Sequence, residues 1–142
     1  FEGTVVWLGR GTDKPFLQYG HPNYHIGDSQ PHTGVPTTFT PVSCPQAVHP
    51  PQEGNLCYGI DLSGMAEDEA LHKGIDLSML IDAYRHTECE KFFTPFFEKL
   101  IGVDYVRQMI IAGKSAEEIR ERWQDDAEFF RQQRKPYLLY EE

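Results

Sequence analysis

The 142-residue sequence predicts an α+β fold, with a small, mostly antiparallel sheet early in the chain and a helical C-terminal half. Two observations carry this expectation. Runs rich in β-branched and aromatic residues at 4–8, 37–42 and 56–62 read as short strands. From residue 76 onward, apolar residues recur at helical spacing between recognisable caps. There is no internal repeat and no low-complexity tract.

Taken in order, the first run (TVVWL, 4–8) ends in Gly9-Arg10-Gly11-Thr12. Thr12 or Asp13 is placed to cap a short helix towards Tyr19, with Pro15 in its first turn and Gly20 as its stop. Residues 21–36 form a long loop rich in Pro, Gly and His. In the second strand, 37–42, Pro41 places the end at a sheet edge. The third, 56–62, alternates Tyr58, Ile60 and Leu62 against Cys57, Gly59 and Asp61. Residues 63–74 are acidic and expected to be exposed.

Asp76 should cap a helix over 77–85, with Leu77, Leu80, Ile81 and Tyr84 on one face. Phe92, Phe93, Phe96 and Phe97 form an aromatic block that reads as core. Gly102 stops that segment, Asp104 caps a short helix to Ala112, and Gly113 ends it. Ser115-Ala-Glu-Glu118 is a capping box. It opens the best helix of the chain, with Ile119, Trp123, Ala127 and Phe130 along one stripe. Tyr137-Leu-Leu-Tyr140 is expected to be a short strand or an extended tail docked on the core.

Hydrophobic residues at 39% are enough for a globular core, and the length suits one domain. A net charge of −9 disfavours nucleic acid and anionic membrane surfaces as partners. No run approaches the roughly 18 apolar residues of a membrane span. Cys44, Cys57 and Cys89 are too few for a disulfide framework. They read as three thiols, or as one pair and one thiol if the protein is exported.

His21, His25, Asp28 and His32 carry zinc-type donors, but their spacing matches no standard site, so no metal is assigned. Ser63-Gly-Met is not a nucleophile elbow, and Gly9-x-Gly11 is too short for a dinucleotide fingerprint, so no cofactor is assigned either. The Gly-Arg-Gly corner remains. It reads either as an anion or sugar site or as a tight corner with a solvated arginine.

The wording EGT, then GRGT, then PF resembles the opening of the C-terminal half of the peptidoglycan exo-β-N-acetylmuramidase (NamZ-like) family, formerly a bacterial domain of unknown function. Phe39-Thr40-Pro41, Cys57-Tyr58-Gly59-Ile60-Asp61-Leu62 and the tail from Ile110 through Trp123, Phe129, Arg131 and Arg134 to Tyr137-Tyr140 also fit. Where the family usually has Asn after EGT and Ser two positions later, this chain has Val5 and Trp7.

The resemblance implies that residues 1–142 are a single C-terminal auxiliary domain of a longer two-domain protein. Its partner is then an N-terminal Rossmann-like domain that holds the catalytic glutamates, so no catalytic residue is assigned here. The implied activity is release of N-acetylmuramic acid from peptidoglycan fragments, in an exported protein. The implied partner is a muramyl-containing glycan. Substrate-binding candidates are Glu2, Arg10 and Thr12. Arg10 would hold the lactyl carboxylate through a bidentate pair, and Glu2 would accept from a sugar hydroxyl. Glu2 has a second reading, as the partner of Arg10 within the domain. The alternative function is a non-catalytic glycan-binding or protein-interaction module.

Overall fold

The computed structural model describes residues 1–26 and 34–140, with nothing to be said of the side chains of residues 69, 72 and 73. Three strands form an antiparallel sheet: β1 (Gln18–His21), β2 (Val35–Phe39) and β3 (Cys57–Asp61), in the order β1-β3-β2. The helices follow: α1 (Glu67–Lys73), α2 (Ser78–His86), α3 (Phe97–Ile101), α4 (Tyr105–Ile111), α5 (Ala116–Arg134) and a 3₁₀ turn at Lys135–Tyr137. The fold is therefore the α+β arrangement read from the sequence.

β3 takes the centre, paired on both edges and enclosed on both faces, with Cys57 and Ile60 fully buried and only Tyr58 exposed. Gly20 faces Gly59 across β1 and β3, while Thr37 faces Gly59 from β2. A Cβ on Gly59 would lie 1.8 Å from the Tyr19 carbonyl oxygen, so only glycine permits this approach. β2 is an edge strand and tolerates Pro36, which has no N–H to donate.

Four local expectations are corrected. Residues 4–8 are enclosed around Val6 but form no ladder. Thr4 bridges to Phe93 and Trp7 to Gly20, so two single contacts with different partners replace a strand. No helix runs from Thr12 to Tyr19. The Thr12 side chain closes a compact turn, Phe16 takes a positive φ of 63°, and β1 begins at Gln18. Gly20 is the middle of that strand and not a helix stop. β2 starts at Val35 and ends at Phe39, two to three residues before the expected span, and Pro41 lies buried just beyond it.

The fourth correction concerns the end of the chain. α5 opens with the predicted capping box and buries Ile119, with Trp123 half-buried, but Phe130 is 58% exposed. A helix of this length spans about 28 Å, and only its first half meets the core cluster. Tyr137, at the end of the 3₁₀ turn, and Leu139 and Tyr140 beyond it stand exposed instead of docking on the core.

Two further readings are corrected: Phe96 of the aromatic block is 52% exposed because it sits just before α3 on the outer side, and Asp104 makes no cap bond; the others hold. α2 lies one residue later than read, and Asp76 Oδ1 accepts from the Ser78 N–H at 2.8 Å. Leu77, Leu80 and Ile81 join Phe92, Phe97, Val106, Ile110 and Ile119 in the core. The acidic 63–74 segment is exposed and contains α1. Gly102 ends α3 in the left-handed region. Cys44, Cys57 and Cys89 are free thiols, and burial pushes Cys57 up to about 11. No helix among the described residues is long and apolar enough to cross a membrane.

One ion pair ties the N-terminal corner to the sheet. Lys14 Nζ lies 2.5 Å from Asp61 Oδ2, and Asp61 Oδ1 accepts from the Ser63 N–H at 2.8 Å. The Lys14 bond, then the Ser63 bonds, hold the Asp61 carboxyl down at about 2.

Two measurements check this account. Urea denaturation of Ile119→Ala should show a loss of about 2–5 kcal/mol, whereas Phe130→Ala should cost under about 1 kcal/mol because its side chain packs on little. A loss above 2 kcal/mol for Phe130→Ala would contradict the exposed end of α5. The Asp61 carboxyl is depressed in the fold, so its contribution is complete above the ordinary carboxylate range and fades as pH falls from about 4 to about 2. Asp61→Asn should therefore differ most from wild type near neutral pH and converge with it by pH 2. A difference independent of pH would reject the ion pair as its source.

Candidate functional site

The Gly-Arg-Gly corner is built from residues 7–18. Gly9 and Gly11 take φ values of 67° and 80°, a region that suits glycine. A Cβ on either would sit 2.6 Å from a carbonyl oxygen, that of Lys14 or that of Val42. The Val42 N–H in turn bonds the Gly11 carbonyl at 2.9 Å. The corner is thus pinned between its own turn and the segment after β2.

Thr12 is its internal knot. Its hydroxyl donates to the Gly9 carbonyl at 2.6 Å and accepts from the Lys14 N–H at 3.1 Å and from Gln18 Nε2 at 2.8 Å. One donor and two acceptors exhaust a hydroxyl. Thr12 therefore shapes the corner through its side chain and has no bond left for a ligand.

Arg10 is different. The Trp7 indole N–H donates to the Arg10 carbonyl at 2.7 Å, and the guanidinium lies over the Trp7 ring, 5.9 Å from its centroid. Its one described side-chain hydrogen bond is a long one, from Nη2 to the Gln46 carbonyl at 3.4 Å. Most of the five-donor fork is unspent. Trp7, one of the two departures from the family wording, is the residue that holds Arg10 in place. Val5 packs against the core.

Glu2 is not part of this corner. It lies exposed in a turn closed by the Thr4 N–H to Phe1 carbonyl bond, and Gly3 accepts from the Thr94 N–H. Among the described residues no ion pair joins Glu2 to Arg10, which removes the reading of Glu2 as its intradomain partner. Glu2 belongs to the side of the molecule that carries residues 92–94.

The loop after β1 is anchored elsewhere again. His21 is buried, with Nδ1 accepting from the Asn23 N–H, and burial lowers its pKa. Tyr24 bridges to Thr87, and the exposed His25 lies 3.6 Å from Glu88. Asp28 and His32 lie outside the described residues, so the four-residue donor set cannot be assembled.

A polar cluster that the sequence does not signal lies here. The Tyr24 hydroxyl donates to Asp82 Oδ2 at 2.6 Å, and His86 Nδ1 is 3.0 Å from Asp82 Oδ1. Burial, then the Asp82 contact, raises the Tyr24 pKa, so the phenol stays protonated and acts as a clamp. Tyr24 is far in sequence from Asp82 and His86, and only the i,i+4 spacing of the last two hints at a pair.

Comparison with known proteins agrees with this architecture. The family profile described as "Exo-beta-N-acetylmuramidase NamZ, C-terminal" matches residues 1–140. The peptidoglycan beta-N-acetylmuramidase NamZ of Bacillus subtilis (strain 168) is 31% identical over 145 residues, covering 98% of this chain and 35% of the relative. The crystal structure of a DUF1343 family protein from Bacteroides fragilis NCTC 9343 is 52% identical, with a TM-score of 0.89 over 100% of this chain and 38% of that one. The chain thus spans between a third and two fifths of the length of these relatives. It belongs to the NamZ C-terminal domain family.

Proposed function

We propose that this chain is the C-terminal auxiliary domain of a longer bacterial peptidoglycan β-N-acetylmuramidase, and that its Gly-Arg-Gly corner forms one wall of the sugar cleft. The observation that carries the reading is Arg10: a guanidinium set over an indole, with most of its donors free, in a chain of net charge −9. A planar fork of this kind suits a carboxylate such as the lactyl group of muramic acid. The match to a muramidase along 98% of the chain supports this substrate class.

The division of labour follows from the bonds already described. Arg10 meets the carboxylate. Thr12 and Trp7 are positioning residues that fix the backbone and face of Arg10. Glu2, exposed and unpaired with Arg10, accepts from a hydroxyl further along the glycan. Glycoside hydrolysis needs two carboxyl groups about the scissile bond. In this reading they come from an N-terminal Rossmann-like domain of the same exported protein.

Two outcomes follow. The 142-residue chain alone should release no N-acetylmuramic acid from muramyl oligosaccharides in a chromatographic assay, and turnover abolished by Glu2→Gln would overturn the assignment. In the full-length protein, Arg10→Lys keeps the charge but loses the fork, so KM for a muramyl substrate should rise about tenfold, the equivalent of one charge-assisted bond. Its melting temperature should stay within about 2 °C of wild type, a loss too small for a structural clamp. Lower stability with unchanged KM would make Arg10 a clamp and reject the site.

A further inference from the structure

Away from the corner, a second cleft opens between the end of α2, the segment 87–93 and α4, with a volume of about 630 Å³. Its walls combine three cations with an aromatic floor. Arg85, Lys91 and Arg107 line it, and so do Tyr84, Phe92 and Phe93. Three of the thirteen lysines and arginines of a chain with net charge −9 therefore share one concavity.

The cations differ in how far they are spent. Arg107 is paired with Glu98. Arg85, exposed at the last turn of α2, makes one long bond, from Nη2 to the Gly113 carbonyl at 3.4 Å, and keeps its other donors. Lys91, on the 87–93 wall, is exposed. Glu90 is the one acid on the wall, so the cleft keeps a net positive balance.

The floor is rigid. Tyr84 stacks on Phe93 at 5.4 Å with an interplanar angle of 28°, and the edge of Phe92 meets Tyr84 at 5.3 Å. Thr87, on the same wall, is 8% exposed, and its hydroxyl finds no hydrogen-bond partner among the described residues. That hydroxyl oxygen is itself enclosed, so Thr87 shapes the wall and does not meet a ligand.

A concavity that sets unspent cations beside aromatic rings suits a ligand with an anionic group and a ring. We propose that this cleft binds an oxyanion carried on a ring, a carboxylated or phosphorylated sugar, with the ring over Tyr84 and Phe93 and the anion between Arg85 and Lys91. The site is independent of the Arg10 corner and does not rest on the muramidase reading.

The test is calorimetric titration of the 142-residue chain with N-acetylmuramic acid, glucose 6-phosphate and N-acetylglucosamine. One of the two anionic sugars should bind saturably, and the comparison of the two identifies carboxylate or phosphate as the anion. The neutral sugar should bind at least about tenfold more weakly, as loss of a charge-assisted bond requires. Lys91→Gln and Arg85→Gln should each weaken the anion by about the same factor. Each titration is repeated on Arg10→Gln, which removes any carboxylate binding at the corner, so that the binding which survives is the cleft's. Cys89 lines the same cleft and is exposed, so the bound sugar should slow its alkylation relative to Cys44. Equal affinity for the neutral sugar, no saturable binding, or binding lost only in Arg10→Gln would each overturn the proposal. In the last case the corner reading would stand while this one fell.

Discussion

The absence of side chains at the centre of the sheet governs much of this domain. Gly20 and Gly59 face one another, and a Cβ on Gly20 would fall 2.4 Å from the Tyr58 carbonyl oxygen. Because that spot is empty, the Phe39 ring from β2 can reach across to Gly20, while Trp7 pairs with Gly20 from the other edge. The pairing of residue 7 with β1 then aims the chain at Gly9, and so decides where Arg10 emerges. A site candidate at the surface is set by a packing constraint beneath it.

Polar ties hold the parts around that centre. Lys14 to Asp61 fastens the corner to β3, Tyr24 to Asp82 fastens the turn after β1 to α2, and the Ser115–Glu118 box starts α5. Each joins a loop to a regular element, where backbone pairing alone gives little rigidity. The two candidate sites lie at opposite kinds of place. The corner depends on glycine conformation and one indole, whereas the cleft depends on a stack of aromatic rings. A substitution that loosens one need not disturb the other.

What the sequence made legible follows from where local and global preferences agree. β3 was readable as an apolar run between two loops, but its burial does not follow its alternation, since only Tyr58 is exposed. α2 and the start of α5 were readable because Asp76 and Ser115 make the bonds their positions suggest. β1 was hidden because Gln18, Gly20 and His21 do not look like a buried strand, yet all four of its residues are enclosed. The polar ones are satisfied locally, Gln18 by Thr12 and His21 by the Asn23 N–H. The 127–130 part of the α5 stripe was misleading for the converse reason: helical periodicity describes a face, not what covers it. Arg10 stood out by motif. The basic cleft did not, because Tyr84, Lys91 and Arg107 meet only through tertiary packing.

The position of Trp7 has a practical consequence. The chain holds two indoles, Trp7 and Trp123, and they sit in unlike surroundings. Trp7 is bonded to the Arg10 carbonyl and lies beneath its guanidinium, while Trp123 packs half-buried on α5 against the core cluster. Indole emission shifts with the charge and polarity around the ring. The domain therefore carries its own optical gauge of the corner, with the second indole as an internal reference, and events at Arg10 become readable without attaching a dye.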